Sequence, residues 1–309
     1  MEYKEFNYQK VKKKYLKFLT SQEVTSEPFR DKLGQLKKFY LPISKIINDE
    51  HEKKNKTQVV GLTGGQGTGK STISNILKII LKEAYNLETV IFSIDDFYKT
   101  LKDRKIMSKK ISDLFLTRGV PGTHDTKILF HCIKKLKISK FKKINIPKFD
   151  KSIDDRMKKK NWYKIKKKPD IVILEGWCVG APPQNLKNLK NPINSLEKKF
   201  DKKSVWRKYV NQQLNNKYKT LYKLIDCLLY IKAKDFSLLR KWRLKQEKKL
   251  YLNTKRKKNL KIMSKDQVLN FMMTYQRITE QMFKETPKYA SVVMTLNKHH
   301  QIRNIKYKK

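Results

Sequence analysis

Nine consecutive residues, Gly64-Gly65-Gln66-Gly67-Thr68-Gly69-Lys70-Ser71-Thr72, have the types and spacing of a phosphate-binding loop. They match G-x-x-x-x-G-K-[ST], follow the apolar run Val59 to Leu62 and open the amphipathic stretch Lys70 to Tyr85. Glycines let successive backbone N–H groups turn inward around phosphate oxygens, and a helix N-terminus adds partial positive charge. Lys70 is expected to reach the β- and γ-phosphates of ATP, Ser71 to offer its hydroxyl to Mg²⁺, and Thr72 to donate on the α-phosphate side. A plain glycine turn between strand and helix is the competing reading, and with only 10 glycines in the chain the full pattern rarely arises by chance. Because the same cradle serves ATPases, GTPases, motors and kinases, the reaction must be read elsewhere.

Ser93-Ile94-Asp95-Asp96-Phe97-Tyr98 follows a second apolar run, Thr89 to Ile94. In a parallel sheet this puts its carboxylates at the carboxyl edge beside the loop, where ligands bind. A kinase needs a carboxylate there to accept the proton of an attacking hydroxyl; Asp95, first off the strand, is the candidate base, with Tyr98 beside the acceptor. The alternative is that Asp95 and Asp96 only cap the next turn. The run Asp170-Ile171-Val172-Ile173-Leu174-Glu175 ends in an acid as a Walker-B strand does, which makes Glu175 a metal-side residue. Arg240 and Arg243 share one face of a helical stretch and are expected to close over the phosphates. The turn-rich segment Arg118-Gly119-Val120-Pro121-Gly122-Thr123-His124-Asp125 offers Arg118, His124 and Asp125 to an acceptor, although His124 and Asp125 could equally cap a helix beginning at Thr126.

The elements that must position these groups read as an α/β fold. Apolar or β-branched runs at residues 58–64, 89–94, 144–149, 170–176, 224–233 and 291–296 alternate with helical or lysine-rich stretches, which predicts a mostly parallel central sheet in a three-layer P-loop sandwich. Residues 1–55 carry apolar positions at helical spacing and are expected to form a helical N-terminal extension. The kinase domain is then 56–309, with substrate loops at about 101–125 and 148–168 and a lid helix at about 236–250.

Lys and Arg total 74 against 28 Asp and Glu, a net charge of +46. Such a charge suggests nucleic acid, but the lysines are spread over nearly every segment and only ten of the basic residues are Arg. No specific nucleic-acid partner is expected, and the field should instead attract anionic substrates. Cys132, Cys178 and Cys227 are odd in number and lack metal-type spacing, which fits a reducing cytoplasm. Absence of a signal-like N-terminus or a long apolar run predicts a soluble, non-membrane protein, taken as a monomer.

As a set and in this order, GGQGTGKST, SIDDFY, RGVPGTHD, IPKFDKSIDDR, VILEGW and RKWRLKQE resemble the D-glycerate 3-kinase family of plants and cyanobacteria over about residues 57–300. The wider group contains phosphoribulokinase, uridine kinase and pantothenate kinase. The resemblance implies that group's fold, ATP and Mg²⁺ dependence, and conversion of D-glycerate to 3-phosphoglycerate. It also implies that Asp95 takes the place of the catalytic Asp of the uridine- and pantothenate-kinase relatives, Arg240 and Arg243 that of lid arginines, and that Arg118, His124 and Asp125 fall in the substrate loop. Two other readings stand beside it: a nucleoside or pantothenate-like kinase with a larger acceptor pocket, and a basic P-loop ATPase that binds nucleic acid.

Overall fold

A computed structural model describes residues 7–23, 29–254 and 263–308 of the chain. Its central sheet has six strands: β1 (Gln58–Gly64), β2 (Thr89–Ser93), β3 (Ile171–Gly176), β4 (Cys227–Lys232), β5 (Val292–Leu296) and β6 (Ile302–Tyr307). The spatial order is β6-β5-β4-β1-β3-β2, parallel throughout except for β6, which pairs antiparallel with β5. The mostly parallel P-loop architecture expected from the alternating pattern is therefore present.

Two core layers follow from the period-2 alternation of the central strands. Val60 and Leu62 of β1, with Ile171 and Ile173 of β3, face one layer; Val59, Val172 and Leu174 face the other. The first layer holds α3 (Lys70–Tyr85), together with α1 (Tyr8–Gln22) and α2 (Leu41–Lys54). Helix α3 buries Ile73, Ile76, Leu77, Ile80 and Leu81, the i, i+3, i+4, i+7 spacing of an amphipathic helix, and ends at Asn86 in the left-handed region. Truncating fully buried Leu77 to Ala should cost about 2–5 kcal/mol. The second layer includes α5 (Thr126–Lys137) and α7 (Lys265–Glu285), whereas α4 (Leu101–Lys110) packs on the turn at 113–116 and α6 (Phe236–Thr254) leans on α7.

The N-terminal helices share the first core layer: Val11, Tyr15, Leu19, Ile43 and Ile47 are buried in one cluster with α3 and the sheet. Residues 1–6 and 24–28 of the expected extension lie outside the described residues.

One expected strand is corrected. The run at 144–149 does not join the parallel sheet; Ile144–Ile146 pairs antiparallel with Tyr163–Ile165, and Phe149–Asp150 with Asp155–Arg156. Pro147 divides the run, and its own downstream segment supplies nearer partners. The edge strand β6 is absent from the apolar pattern because IRNIKY buries only Ile302 fully and presents charges outward, as exposed edges do.

Candidate active site

The carboxyl ends of β1, β3 and β2 stand side by side, with Thr63 in register with Gly176 and Ser93 with Glu175. The phosphate loop, Glu175 and Asp95 therefore leave the same edge of the sheet in that order. Gly67 and Gly69 have φ of +77° and +83°, conformations that a side chain would strain, and this lets the loop wrap before α3 begins at Lys70. Gly64, Gly65 and Thr68 are buried, with Gln66 between them, and Thr68 Oγ1 donates to the Gly65 carbonyl at 2.8 Å. Lys70 Nζ donates to the carbonyls of Gly64 and Gly65 at 3.0 and 2.9 Å. Burial lowers the Lys70 pKa, while the fields of Glu175 and Asp95 oppose the shift.

Ser71 Oγ donates to Glu175 at 2.9 Å to Oε1 and 3.1 Å to Oε2. Burial raises the Glu175 pKa against the pull of Lys70 and Ser71. Among the described residues no cluster of three or more His, Cys, Asp or Glu could cage a metal. A hydroxyl beside a carboxylate nevertheless suits Mg²⁺, which takes one or two hard protein oxygens and completes its shell with phosphates and water.

The two aspartates after β2 divide their tasks. Asp96 is the cap: its Oδ2 accepts from Ser93 N at 3.3 Å, and Ser93 Oγ in turn accepts from the backbone N–H of Asp95 at 3.2 Å. Burial pushes the Asp96 carboxyl up to about 6. Asp95 points elsewhere, accepting from Tyr98 OH at 2.8 Å on Oδ1 and from Lys151 Nζ at 2.9 Å on Oδ2. Burial raises its pKa, but the Lys151 ammonium and the Tyr98 hydroxyl outweigh that and hold the carboxyl below the usual range.

Tyr98 stacks on His124 with centroids 4.5 Å apart and meets the Phe149 edge at 5.2 Å; the Arg118 guanidinium lies 5.4 Å over Phe149. Asp95, Tyr98, His124 and Arg118 thus form one continuous wall. His124 Nδ1 lies 2.6 Å from Tyr218 OH, and burial pushes the imidazole down to about 4, so it is neutral at physiological pH. Arg118 does not touch Asp95 but pairs with Asp154. Asp125 caps α5 through Ile128 N at 3.2 Å and accepts from Arg156 at 3.4 Å.

Arg240 and Arg243 lie on α6 but bond away from the loop. Arg240 donates to Gln276 at 3.2 Å, and Arg243 pairs with Glu247 at 2.6 Å. The α6 backbone nevertheless touches the loop: a Cβ at Gly67 would sit 3.1 Å from Trp242 Cβ and 3.5 Å from Arg243 N.

Three residues at this wall were not singled out from the sequence. Lys151 is the cation on Asp95. Arg104, wholly buried, donates to the carbonyls of Leu116 and Asp154, each at 2.6 Å, and ion-pairs with Asp154 at 3.1 Å. Arg156 donates to the Tyr98 carbonyl at 2.8 Å. For Lys151 and Arg156 the alternating acids and bases of DKSIDDR carried the signal, hidden among flanking lysine runs. Among the described residues no helix is long and apolar enough to cross a membrane.

Residues 59–191 match the model of the phosphoribulokinase/uridine kinase family. The uncharacterized kinase mug58 of Schizosaccharomyces pombe is 29% identical over 267 residues, spanning 84% of this chain and 89% of that protein. The chloroplastic D-glycerate 3-kinase of Arabidopsis thaliana is 28% identical over 231 residues, 69% of this chain but only 48% of the plant protein. Among solved structures, D-glycerate 3-kinase from Cryptococcus neoformans superposes with a TM-score of 0.73 at 24% identity, over 87% of this chain and 98% of that one, a likeness of fold. With the loop, the strand-end acids and the sheet order in place, the chain has the fold of a P-loop kinase, and its residues 59–191 are similar to the phosphoribulokinase/uridine kinase family.

Proposed function

We propose that this protein transfers the γ-phosphoryl group of ATP to a hydroxyl of a small acidic metabolite, with D-glycerate as the acceptor and 3-phosphoglycerate as the product. The observation that carries the reading is Asp95, a carboxylate kept ionised at the strand edge shared with the phosphate loop, in a wall that also holds the cations Lys151 and Arg118. The D-glycerate 3-kinase names of the Arabidopsis and Cryptococcus relatives support the choice of acceptor.

In this reading ATP lays its phosphates on residues 64–72, with Lys70 neutralising the β- and γ-phosphates. Ser71 and Glu175 would hold Mg²⁺, which when bound would offset the negative charge of the phosphates. The acceptor carboxylate meets Arg118, and its hydroxyl meets Asp95. The hydroxyl oxygen bonds to the γ-phosphorus, the bond to the β-phosphate oxygen breaks, ADP leaves, and the hydroxyl proton passes to Asp95. A base of low pKa suffices because phosphoryl transfer passes through a loose transition state in which aiming and charge matter more than proton abstraction. Arg240 and Arg243 reach the transferring group only if α6 closes and exchanges their Gln276 and Glu247 partners for phosphate.

The test is ADP release by the purified chain with ATP and Mg²⁺ and, in turn, D-glycerate, L-glycerate, uridine, pantothenate or no acceptor. Release that depends on D-glycerate supports the proposal; release only with uridine or pantothenate makes it a kinase of a larger acceptor. Acceptor-independent hydrolysis with salt-resistant RNA binding would favour the nucleic-acid reading.

A further inference from the structure

A cavity of about 600 Å³ opens beside the phosphate loop on the side away from Asp95 and Glu175. Its loop wall is Gly67, Thr68, Gly69, Thr72 and Ile73, and neither Lys70 nor Ser71 lines it. Phosphates held by the loop would put the γ end at Lys70 and the carboxylates, so the cavity receives whatever continues from the α-phosphate. Its volume falls within the range of small-molecule sites. The opposite wall belongs to the N-terminal segment, with Tyr15, Leu19 and Phe29, and to the turn after β5.

We infer that the N-terminal segment completes the nucleoside half of the ATP site, with the base held among Phe29, Leu19 and the Trp242–His300 pair and its edge read by side-chain amides. This rests on the kinase reading of the phosphate loop. Trp242 of the lid helix and His300 pack with ring centroids 4.1 Å apart, and Tyr15 and Tyr40 at 6.1 Å, which gives the cavity flat aromatic surfaces suited to a base. Gln22 and Gln246 also line it, and an amide offers the donor and the acceptor that a purine edge requires.

The wall is built, not incidental. Buried Gln35 donates to the Ile302 carbonyl and accepts from Ile302 N–H, both at 2.9 Å across 267 positions of sequence. Gln301 donates to the Arg30 carbonyl at 2.7 Å, and Tyr15 OH donates to the Lys32 carbonyl at 2.9 Å. Glu23 accepts from Phe29 N–H at 2.7 Å and pairs with Lys32 at 2.8 Å. These bonds lock the 29–35 strip to the 297–302 turn and preorganise the cavity, which lowers the cost of ordering it on binding.

The test is isothermal titration of the full chain with ATP and with inorganic tripolyphosphate, both with Mg²⁺, in wild type, Phe29→Ala and Gln22→Trp. Phe29 is 36% exposed and Gln22 is exposed, so both variants should fold, and thermal melts will verify it. Losing one stacking surface should weaken ATP about tenfold, and a Trp at position 22 should weaken it by filling the cavity, while tripolyphosphate binds all three proteins alike. Unchanged ATP affinity in both variants, or equal loss of tripolyphosphate, would overturn the inference, as would wild type binding tripolyphosphate as tightly as ATP. A wild-type chain that binds neither would instead sink the kinase reading on which it rests.

Discussion

Lys151 Nζ lies 2.9 Å from Asp95 Oδ2, so the carboxylate at the end of β2 is set by a lysine 56 residues away on the turn between two short antiparallel strands. Burial alone would raise Asp95, and Lys151 is the main force lowering it. A carboxyl with a depressed pKa is ionised above that pKa and loses its function as pH falls through it. Lys151→Met removes the opposing charge, so the acid limb of the kcat profile moves to higher pH. An acid limb that stays in place would show that Asp95 ionisation does not govern turnover.

Arg118→Ala should raise KM for D-glycerate about tenfold or more while leaving KM for ATP unchanged, since a hydrogen bond to a charged partner contributes about 1.5–3 kcal/mol. Steady-state kinetics with each substrate varied checks this. An unchanged glycerate KM would assign the acid's carboxylate to Lys151 instead.

Arg104→Met should be the most disruptive change near the acceptor wall that touches no substrate. Its guanidinium is wholly buried and ties α4 to the carbonyls of Leu116 and Asp154; its loss leaves the two carbonyls and one face of Asp154 without their donor. Because Asp154 keeps 38% of its side chain in solvent, the cost comes from the donors lost to the two part-buried carbonyls, about 1–3 kcal/mol each. Urea denaturation should show that loss, with a rise in acceptor KM because Asp154 also holds Arg118.

How much of this was legible in the sequence follows from how local each signal is. The phosphate loop, the acid ending β3 and Asp95 are each encoded within a single strand–turn segment, so spacing sufficed. The Lys151–Asp95 and Arg104–Asp154 contacts span 56 and 50 positions, and in a chain with 74 basic residues no composition signal marks which of them is buried or paired. The cap reading of the two aspartates proved right for Asp96 alone, because one carboxylate turns back to Ser93 and the other forward to Lys151. The N-terminal helices announced their period but not their partner, which is the face of α3.

His124 supplies a pH test of stability. Its folded pKa of about 4 lies below the unfolded value of 6.5, so the folded chain refuses a proton that the unfolded chain accepts. Its contribution is complete above pH 6.5 and is lost as pH falls toward 4, about 1.4 kcal/mol per pH unit within that window. Asp96, raised to about 6, acts in the opposite sense, but it is present in both proteins when wild type is compared with His124→Gln. Chemical denaturation at pH 7.5 and 5 should show the advantage of wild type over the variant shrinking at the lower pH. A constant difference would mean that the buried imidazole takes up a proton as freely as an exposed one.

The most direct measurement of the central claim is single-turnover phosphoryl transfer to D-glycerate by Asp95→Asn, with ATP affinity determined on the same preparation. The substitution keeps the shape of the side chain and its contact with Tyr98 but removes the charge that aims the hydroxyl and receives its proton. ATP binding within a fewfold of wild type, with transfer slowed by about 10²–10⁴, is the predicted result. Transfer at the wild-type rate would remove Asp95 from the reaction and with it the assignment of this sheet edge as the acceptor site.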